Sequence, residues 1–385
     1  MIRKIFIGIV ILITSIVGLL YAFDVEYIIK AVRVTYLTGH KTAFLDDYTY
    51  FPNRNIDNGT VEPWAIHQNY NQVEPTKELL KIHNELQTIA FLIIKNDSIW
   101  HEQYFDKYNQ NSHTNSFSLA KSYVSACLGK AIELGYIKGL NQPVSDFFPE
   151  FSNGLAAELT VGDLSSMASG LNWDERYYSP FSVVTRAYFG DNLPKTILNL
   201  KVVKKPGQEF AYSSGDTQLL AMVLEKATGQ KLSDFLSAYF WKPLGSENKA
   251  FWQLDTEDGI EKAYCCIASN ARDFARLGKL YKQHGKWNGK QILDSTFVQL
   301  STKPRFKDTP YGYGFWLSDY LGKHIYYMRG HLGQFVIVIP EDNLMIVRLG
   351  HLKGRQSEED PHSDDFYIYI DQTYKMLADV SGNKS

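Results

Sequence analysis

The chain has 385 residues, of which 44% are apolar, so it is long and apolar enough to bury a large core, as one two-lobed unit or as two domains. Its formal net charge of −2 and the lack of a long basic run exclude the usual signature of a nucleic-acid partner. The cysteines Cys127, Cys265 and Cys266 fit no zinc site or redox motif. Adjacent cysteines can form a vicinal bridge, but we expect Cys265 and Cys266 to stay unpaired.

The first 23 residues resemble a membrane segment. An uncharged apolar run from Ile5 to Phe23 follows Arg3 and Lys4, and a helix of that length spans roughly 28 Å, close to the thickness of the bilayer hydrocarbon. Basic residues on the leading side predict that the body lies outside the cytoplasm, on the periplasmic face of a bacterial inner membrane. A cleaved signal peptide has the same charge layout. Because no small-x-small cleavage pattern follows the run, we favour an uncleaved anchor at 1–23.

The next segments change from irregular to regular patterns. Residues 24–75 are polar, aromatic and weakly periodic, and we interpret them as a juxtamembrane arm. A helix is expected from Thr76, and apolar runs at 88–94 and 99–105 predict two strands. Asn96 and Asp97 lie between these runs and supply turn chemistry, so the sequence predicts a β-hairpin here.

From residue 116 to 250 the pattern is mostly helical, including a helix from Thr217 to Thr228 that should end at Gly229. Strand patterns return at 314–317, 325–328, 335–339 and 344–349, and a last helix is expected from Phe366 to Leu377. Strands from both ends of the chain predict an α+β fold. We expect one antiparallel sheet, from 76–115 and 251–385, flanked by helices, with the helical lobe 116–250 inserted and the whole forming a domain at 76–385.

The pattern Ser-x-x-Lys, which can pair a nucleophile with a base, occurs three times. The matches are Ser118 with Lys121, Ser246 with Lys249, and Ser381 with Lys384. Ser381 lies in a polar tail and Ser246 in a turn-rich stretch, whereas Ser118 alone opens an amphipathic helix. Positions i and i+3 share one face of a helix, so the hydroxyl and the amine can meet there.

A serine hydroxyl is a weak nucleophile until an adjacent base takes its proton. Lysine serves as that base only when it is neutral, a form that burial favours. Two further motifs add the missing parts. Tyr212 lies just before the 217–228 helix, where its hydroxyl could relay protons. Residues 329–334 lead into a strand, and the backbone N–H groups of Ser118 and Gln334 would form an oxyanion hole.

These segments together resemble the β-lactamase-related serine hydrolases. The similar motifs are Ser-Leu-Ala-Lys at 118–121, Tyr-Ser-Ser at 212–214 and His-Leu-Gly at 331–333, and the connecting segments 159–171, 243–245 and 311–316 are also similar. The family includes class C β-lactamases, D-alanyl-D-alanine carboxypeptidases, esterases and 6-aminohexanoate-dimer hydrolase, whose branch the spelling of 267–273 resembles most. The resemblance implies a β-lactamase/transpeptidase-like fold, with catalytic Ser118, Lys121 and Tyr212 and with no metal or organic cofactor.

The chain departs from the family pattern at two motifs. Ser214 stands where asparagine is usual, and His331 and Leu332 replace the lysine and threonine of the Lys-Thr-Gly motif in β-lactamases. The loss of a cation and a hydroxyl argues against efficient β-lactam turnover, although Arg329 is a candidate substitute. The expected substrate-binding residues are Ser214, His331, Gly333 and Tyr177.

We therefore expect hydrolysis of a small-molecule or short-peptide ester or amide through an acyl-enzyme on Ser118. One alternative keeps this chemistry but acts on cell-wall peptides that contain D-amino acids. The other is a non-catalytic envelope protein that uses the same fold for binding or scaffolding. The sequence does not indicate an oligomeric state.

Overall fold

The computed structural model describes residues 1–382. Its helices are α1 Ile2–Ala22, α2 Tyr27–Val34, α3 Lys77–Glu85, α4 Ala120–Glu133, α5 Val161–Ser165, α6 Val183–Phe189, α7 Leu193–Leu198, α8 Ser214–Thr228, α9 Leu232–Leu236, α10 Ala271–Lys282, α11 Ser295–Ser301 and α12 Asp364–Gly382. Its strands are β1 Asn53–Ile56, β2 Ala65–Ile66, β3 Thr88–Lys95, β4 Ser98–Tyr104, β5 Thr114–Asn115, β6 Ala250–Gln253, β7 Ile267–Ser269, β8 Lys286–Trp287, β9 Lys290–Gln291, β10 Trp316–Ser318, β11 Ile325–Gly330, β12 Gln334–Ile339 and β13 Leu344–Gly350.

A seven-stranded sheet forms the centre, in the order β10-β11-β12-β13-β3-β4-β2. All neighbouring strands are antiparallel except β2 and β4. Alternate residues of β3 belong to two separate apolar clusters: Leu92 packs with the cluster that contains Phe274 of α10, and Phe91 with the cluster that contains Phe366 of α12. Helices therefore cover both faces of the sheet, which explains why its strands are nearly continuous apolar runs.

The predicted hairpin is present. Asn96 and Asp97 both adopt positive φ, at 50° and 62°, the backbone that a two-residue type I′ turn needs. The turn joins β3 to β4 in antiparallel pairing, and the late strand patterns correspond to β10, β11, β12 and β13. The expected α+β arrangement, a largely antiparallel sheet flanked by helices, is therefore present.

The segment 24–75 packs on the body instead of standing apart from it. β1 pairs with β6 in a second sheet of order β1-β6-β7-β5, and β2 adds an edge strand to the central sheet. Leu45 and Ile56 are fully buried in the larger apolar cluster. The weak periodicity that suggested an arm arises because this segment uses short strands and turns, which leave little pattern in a sequence.

Between β5 and β6 the chain is helical and irregular, and it holds α4 to α9. α8 ends as expected, because Gly229 caps it with φ 67° and donates its N–H to the carbonyl of Glu225. Within residues 1–382, α1 alone is long and apolar enough to cross a membrane, and none of its residues is buried.

The expectation that Cys265 and Cys266 stay unpaired is wrong, since a disulfide joins them. Cys265 N–H bonds to the carbonyl of Lys262 in a turn, and Cys266 has a left-handed backbone with φ 77°. This turn brings together two side chains that an extended chain would point apart. Cys127 is a free, buried thiol on α4, as expected of a small core residue.

Candidate active site

Ser118 is the accessible residue of an otherwise buried segment. Every other residue from 114 to 131 is buried, and Ser118 is half-buried. It lies in the 3-10 turn Phe117–Leu119, which leads directly into α4. The Ser118 hydroxyl therefore meets the solvent at the start of a helix that is otherwise enclosed by the core.

The turn before Ser118 is held in an unusual conformation. Phe117 has φ 48°, a left-handed backbone that costs about 1–3 kcal/mol for a residue other than glycine. Asn115 stabilises it, because its Oδ1 accepts the Phe117 N–H at 2.8 Å, while its Nδ2 donates to Asp47 Oδ1 at 2.9 Å. Sequence reasoning missed Asn115 and Asp47, which carry no motif of their own.

Lys121 lies behind Ser118, one helical turn along. Its Nζ is 2.8 Å from Ser118 Oγ and also donates to the Tyr264 carbonyl at 2.8 Å. The side chain is only 2% exposed. Within the described residues 1–382, no carboxylate forms an ion pair with it. The predicted contact between the hydroxyl and the amine is therefore present, in an enclosed environment.

Tyr212 lies over the same amine. The Lys121 Nζ is 5.1 Å from the centroid of the Tyr212 ring, which packs at 5.3 Å from the ring of Trp316. Tyr212 comes immediately before Ser213, the N-cap of α8, whose side chain accepts the Asp216 N–H. The cap fixes the chain at this point, so the ring is held beside the Lys121 amine.

The turn 331–333 forms the opposite wall. Leu332 and Gly333 have φ 62° and 79°, and the fully buried Arg348 donates to the carbonyls of both at 2.9 Å. At the end of β11, a Cβ on Gly330 would lie 2.2 Å from the Ser116 carbonyl. Only glycine allows this approach, which brings the turn against the Ser118 segment.

His331 is an aromatic wall and not a cation. Its ring lies between Phe117, edge-on at 5.5 Å, and Tyr177, stacked at 5.5 Å. Burial lowers the pKa of His331 to about 4, and the Lys353 charge adds to this effect. The histidine therefore does not restore the positive charge that the lysine of the Lys-Thr-Gly motif carries in β-lactamases.

Gln334 and Ser214 each form hydrogen bonds next to the cleft. Gln334 is fully buried, and its side chain donates to the carbonyls of His331 and Gly350. The Ser214 N–H donates to Glu175 Oε1. Glu175 was missed by sequence reasoning, yet it lines the cleft, and its buried Oε2 has no partner within the described residues.

The cleft has two sides that meet at Ser118. One side, with a volume of about 710 Å³, is polar and includes Glu175, Tyr212, Arg329 and Gly333. The other, of about 810 Å³, is more apolar and is walled by α2, α6 and the residues 177–180. His331 and Tyr177 border both sides. The predicted binding residues thus all lie around one opening.

The other two Ser-x-x-Lys matches do not form such a site in the described residues. Ser246 is buried and its Oγ has no hydrogen-bond partner there. Lys249 instead lies over the Phe251 ring at 5.5 Å. The third match extends to Lys384, which lies outside the described residues.

Asp216 predicts a pH dependence of stability. Burial raises its pKa to about 7, against the hydrogen bond that Ser169 Oγ donates at 2.6 Å. An unfolded aspartate releases its proton near pH 4. Between pH 4 and 7 the folded state thus holds a proton that the unfolded state has lost, so this contribution to stability is present below pH 4 and is lost as the pH rises to 7.

We expect Asp216→Asn, which stays neutral, to be less sensitive than the wild type to a pH increase from 4 to 7. The difference in unfolding free energy between the two proteins should change by about 4 kcal/mol over this range. Chemical denaturation at half-unit pH steps measures it, and the difference isolates Asp216 from the other titrating groups. Parallel curves for the two proteins would contradict the assignment.

Comparison with known proteins shows the family of the chain. The family model described as Beta-lactamase matches residues 76–366. The chain belongs to the beta-lactamase family. The 6-aminohexanoate-dimer hydrolase of Paenarthrobacter ureafaciens is 26% identical to it over 225 residues, which cover 56% of this chain and 57% of that protein.

Two solved structures have the same fold. The protein named "Putative 6-aminohexanoate-dimer hydrolase from Bacillus anthracis" superposes with a TM-score of 0.70 at 19% identity, covering 86% of this chain and 92% of its own. A family VIII carboxylesterase gives a TM-score of 0.59 at 16% identity, covering 78% and 98%. The chain spans little more than half the length of the Paenarthrobacter relative. The chain therefore has the family and the fold of beta-lactamase-type proteins.

Proposed function

We propose that this protein hydrolyses an ester or amide through an acyl-enzyme on Ser118. The observation that carries the proposal is the 2.8 Å contact between Lys121 Nζ and Ser118 Oγ at the floor of the cleft. Hydrogen-bond contact between a nucleophile and an enclosed base is the arrangement that activates a serine hydroxyl. The similar proteins include one named for an amide-linked dimer and one carboxylesterase, which supports both bond types.

In the first step, the Ser118 hydroxyl gives its proton to the Lys121 amine as Oγ attacks the carbonyl carbon. The backbone N–H groups of Ser118 and Gln334 donate hydrogen bonds that stabilise the negative charge on the carbonyl oxygen. The bond to the leaving group then breaks, and that group takes the proton through Tyr212. Water repeats the sequence on the ester, which releases the acid and restores Ser118.

A fluorophosphonate probe, which reacts with activated serines, tests the proposal. We expect mass spectrometry to find a single adduct on Ser118 and expect Ser118→Ala to abolish it. Ser246→Ala is the matched control, since Ser246 heads an equivalent Ser-x-x-Lys pattern, and it should leave labelling unchanged. A folded wild-type protein that stays unlabelled would overturn the proposal and favour a scaffold on the same fold.

A peptidase that acts on D-amino-acid peptides is the second candidate, because one observation favours it. Arg329 lines the polar side of the cleft, with its guanidinium 3.7 Å from the centroid of the Trp316 ring. A guanidinium held in this way can pair with the carboxylate at a peptide terminus. The two candidates separate when hydrolysis of neutral short esters is compared with that of D-Ala-D-Ala peptides.

We further propose that α1 anchors the enzyme in a membrane with the body on the extracytoplasmic side. α1 is an apolar helix of 21 residues without a buried side chain, and Arg3 and Lys4 lie at its start. Such a helix spans a bilayer, and basic residues stay on the cytoplasmic side. Protease added to intact spheroplasts should digest the body and leave α1 protected.

A further inference from the structure

The two sides of the cleft indicate where the leaving group and the acyl group of a substrate would bind. Tyr212 lines the polar side and not the apolar side. The group that protonates a leaving group must lie next to it. If Tyr212 does so, the leaving group occupies the polar side, near Arg329 and Glu175. The acyl group then extends from Ser118 into the apolar side.

The apolar side is joined to the end of the membrane helix. Ala31, Thr35 and Tyr36, on and just after α2, line it, and α2 begins at Tyr27, five residues after the last residue of α1. Tyr27 donates its hydroxyl proton to the Pro180 carbonyl at 3.0 Å, in the loop that forms the facing wall.

A second contact fixes the same geometry. Asp24, between α1 and α2, pairs with Arg186 of α6 at 2.9 Å. α6 contributes Val184 and Thr185 to the lining of the apolar side. Two walls of this cavity are therefore tied to the point where the chain leaves α1.

Apolar side chains are exposed around this opening. Tyr36, Leu37, Tyr178 and Phe181 are 64%, 76%, 73% and 71% exposed. Tyr36 and Tyr178 line the apolar side itself. Exposed aromatic and aliphatic groups next to a membrane helix are typical of a surface that dips into the lipid interface. We call these four residues the rim.

We propose that the apolar side is an acyl-chain site, and that the enzyme takes long-chain fatty acyl esters or amides from the bilayer through the rim. The polar head of such a substrate leaves on the side of Arg329. This inference rests on the proposed function, because it uses Ser118 as the nucleophile and Tyr212 as the proton donor. The expected occupant is a hydrocarbon chain, because the cavity opens beside the rim and ends at Ser118.

The full chain, reconstituted in phosphatidylcholine and phosphatidylglycerol vesicles, provides the test with p-nitrophenyl esters from acetate to dodecanoate. Each methylene that enters the site should raise kcat/KM about threefold until the cavity is filled. Ala31→Trp fills the site from α2, and Val32→Trp places the same side chain at an exposed position of that helix. Only Ala31→Trp should lower the rate with dodecanoate relative to the rate with acetate, by at least tenfold.

The ratio of variant to wild type at each chain length cancels the partitioning of long esters into lipid. Ala31→Leu, which adds a smaller side chain, should shorten the preferred acyl chain less than Ala31→Trp does. Partial unfolding does not produce such a graded shift. Equal losses at all chain lengths, or equal effects of Ala31→Trp and Val32→Trp, would overturn the acyl-chain site. Activity with acetate together with a Ser118 adduct would still support the proposed function, so the two failures are distinguishable.

The rim has its own test. Leu37→Ser combined with Phe181→Ser should slow hydrolysis of a long-chain ester embedded in the vesicles by about tenfold, and leave a water-soluble acetate unaffected. Leu155→Ser, at an exposed leucine of the helical lobe, is the control. An unchanged rate with the embedded ester would show that the substrate does not enter through the rim.

Discussion

Replacement of Lys121 by methionine is expected to lower kcat/KM by about 10³- to 10⁴-fold for every ester or amide substrate. Methionine fills a similar volume but cannot accept the Ser118 proton. The amine that contacts Ser118 Oγ and the Tyr264 carbonyl is then lost. Because the step removed precedes the acyl-enzyme, fluorophosphonate labelling of Ser118 should slow by a similar factor.

Lys130→Met is the matched control for a buried lysine on the same helix. Lys130 is also buried on α4, where it pairs with Glu133 at 2.7 Å, away from the cleft. The Lys130→Met variant should be less stable because it lacks this ion pair, but its activity per folded molecule should not change. If Lys121→Met keeps more than a tenth of the wild-type kcat/KM while folded, lysine is not the base and the mechanism fails.

The residues next to the nucleophile could be predicted because their arrangement is local. Ser118 and Lys121 are three residues apart, and helix geometry alone brings them together. The strands of the central sheet could also be located, because strands that are buried on both faces have continuous apolar sequences, whereas exposed loops do not. Tyr212 and the turn 331–333 were predicted from the order of the motifs along the chain. That order does not give their distance from Ser118.

What the sequence could not show depends on contacts between distant segments. Glu175 reaches the Ser214 N–H from 39 positions away, and the Tyr264 carbonyl accepts from Lys121 across 143 positions. A carbonyl group carries no side-chain signal, and a single glutamate in a loop resembles any solvated one. The role of 24–75 was hidden for the same reason, because its short strands are defined by their partners.

Asp47 also depends on contacts between distant segments. It lies in the segment 24–75, outside the residues that the family model matches, yet it is fully buried. Its carboxylate accepts from Asn115 Nδ2 at 2.9 Å, from the Tyr188 hydroxyl at 2.6 Å and from Gln253 Nε2 at 3.0 Å. Burial raises the pKa of Asp47, while Tyr188, Asn115 and the charge of Lys262 oppose that rise.

We expect Asp47→Ala to reduce the free energy of unfolding by about 3–5 kcal/mol, because it leaves several buried donors without an acceptor. Thermal or chemical denaturation measures this change. Asp46→Ala is the control. Asp46 is the adjacent residue and contacts Lys107 and Tyr108 near the surface, so its loss should cost about 1 kcal/mol or less.

Activity separates a positioning role from a purely structural one. Asp47 holds Asn115, and Asn115 holds the left-handed Phe117 that precedes Ser118. Asp47→Asn keeps the shape and one acceptor oxygen, so it should remain folded at low temperature while the turn loses its fixed conformation. We expect kcat of the folded variant to fall about tenfold with little change in KM, since the nucleophile and not the cleft wall is displaced. A folded Asp47→Asn with wild-type kcat would show that this network stabilises the body without setting the position of Ser118.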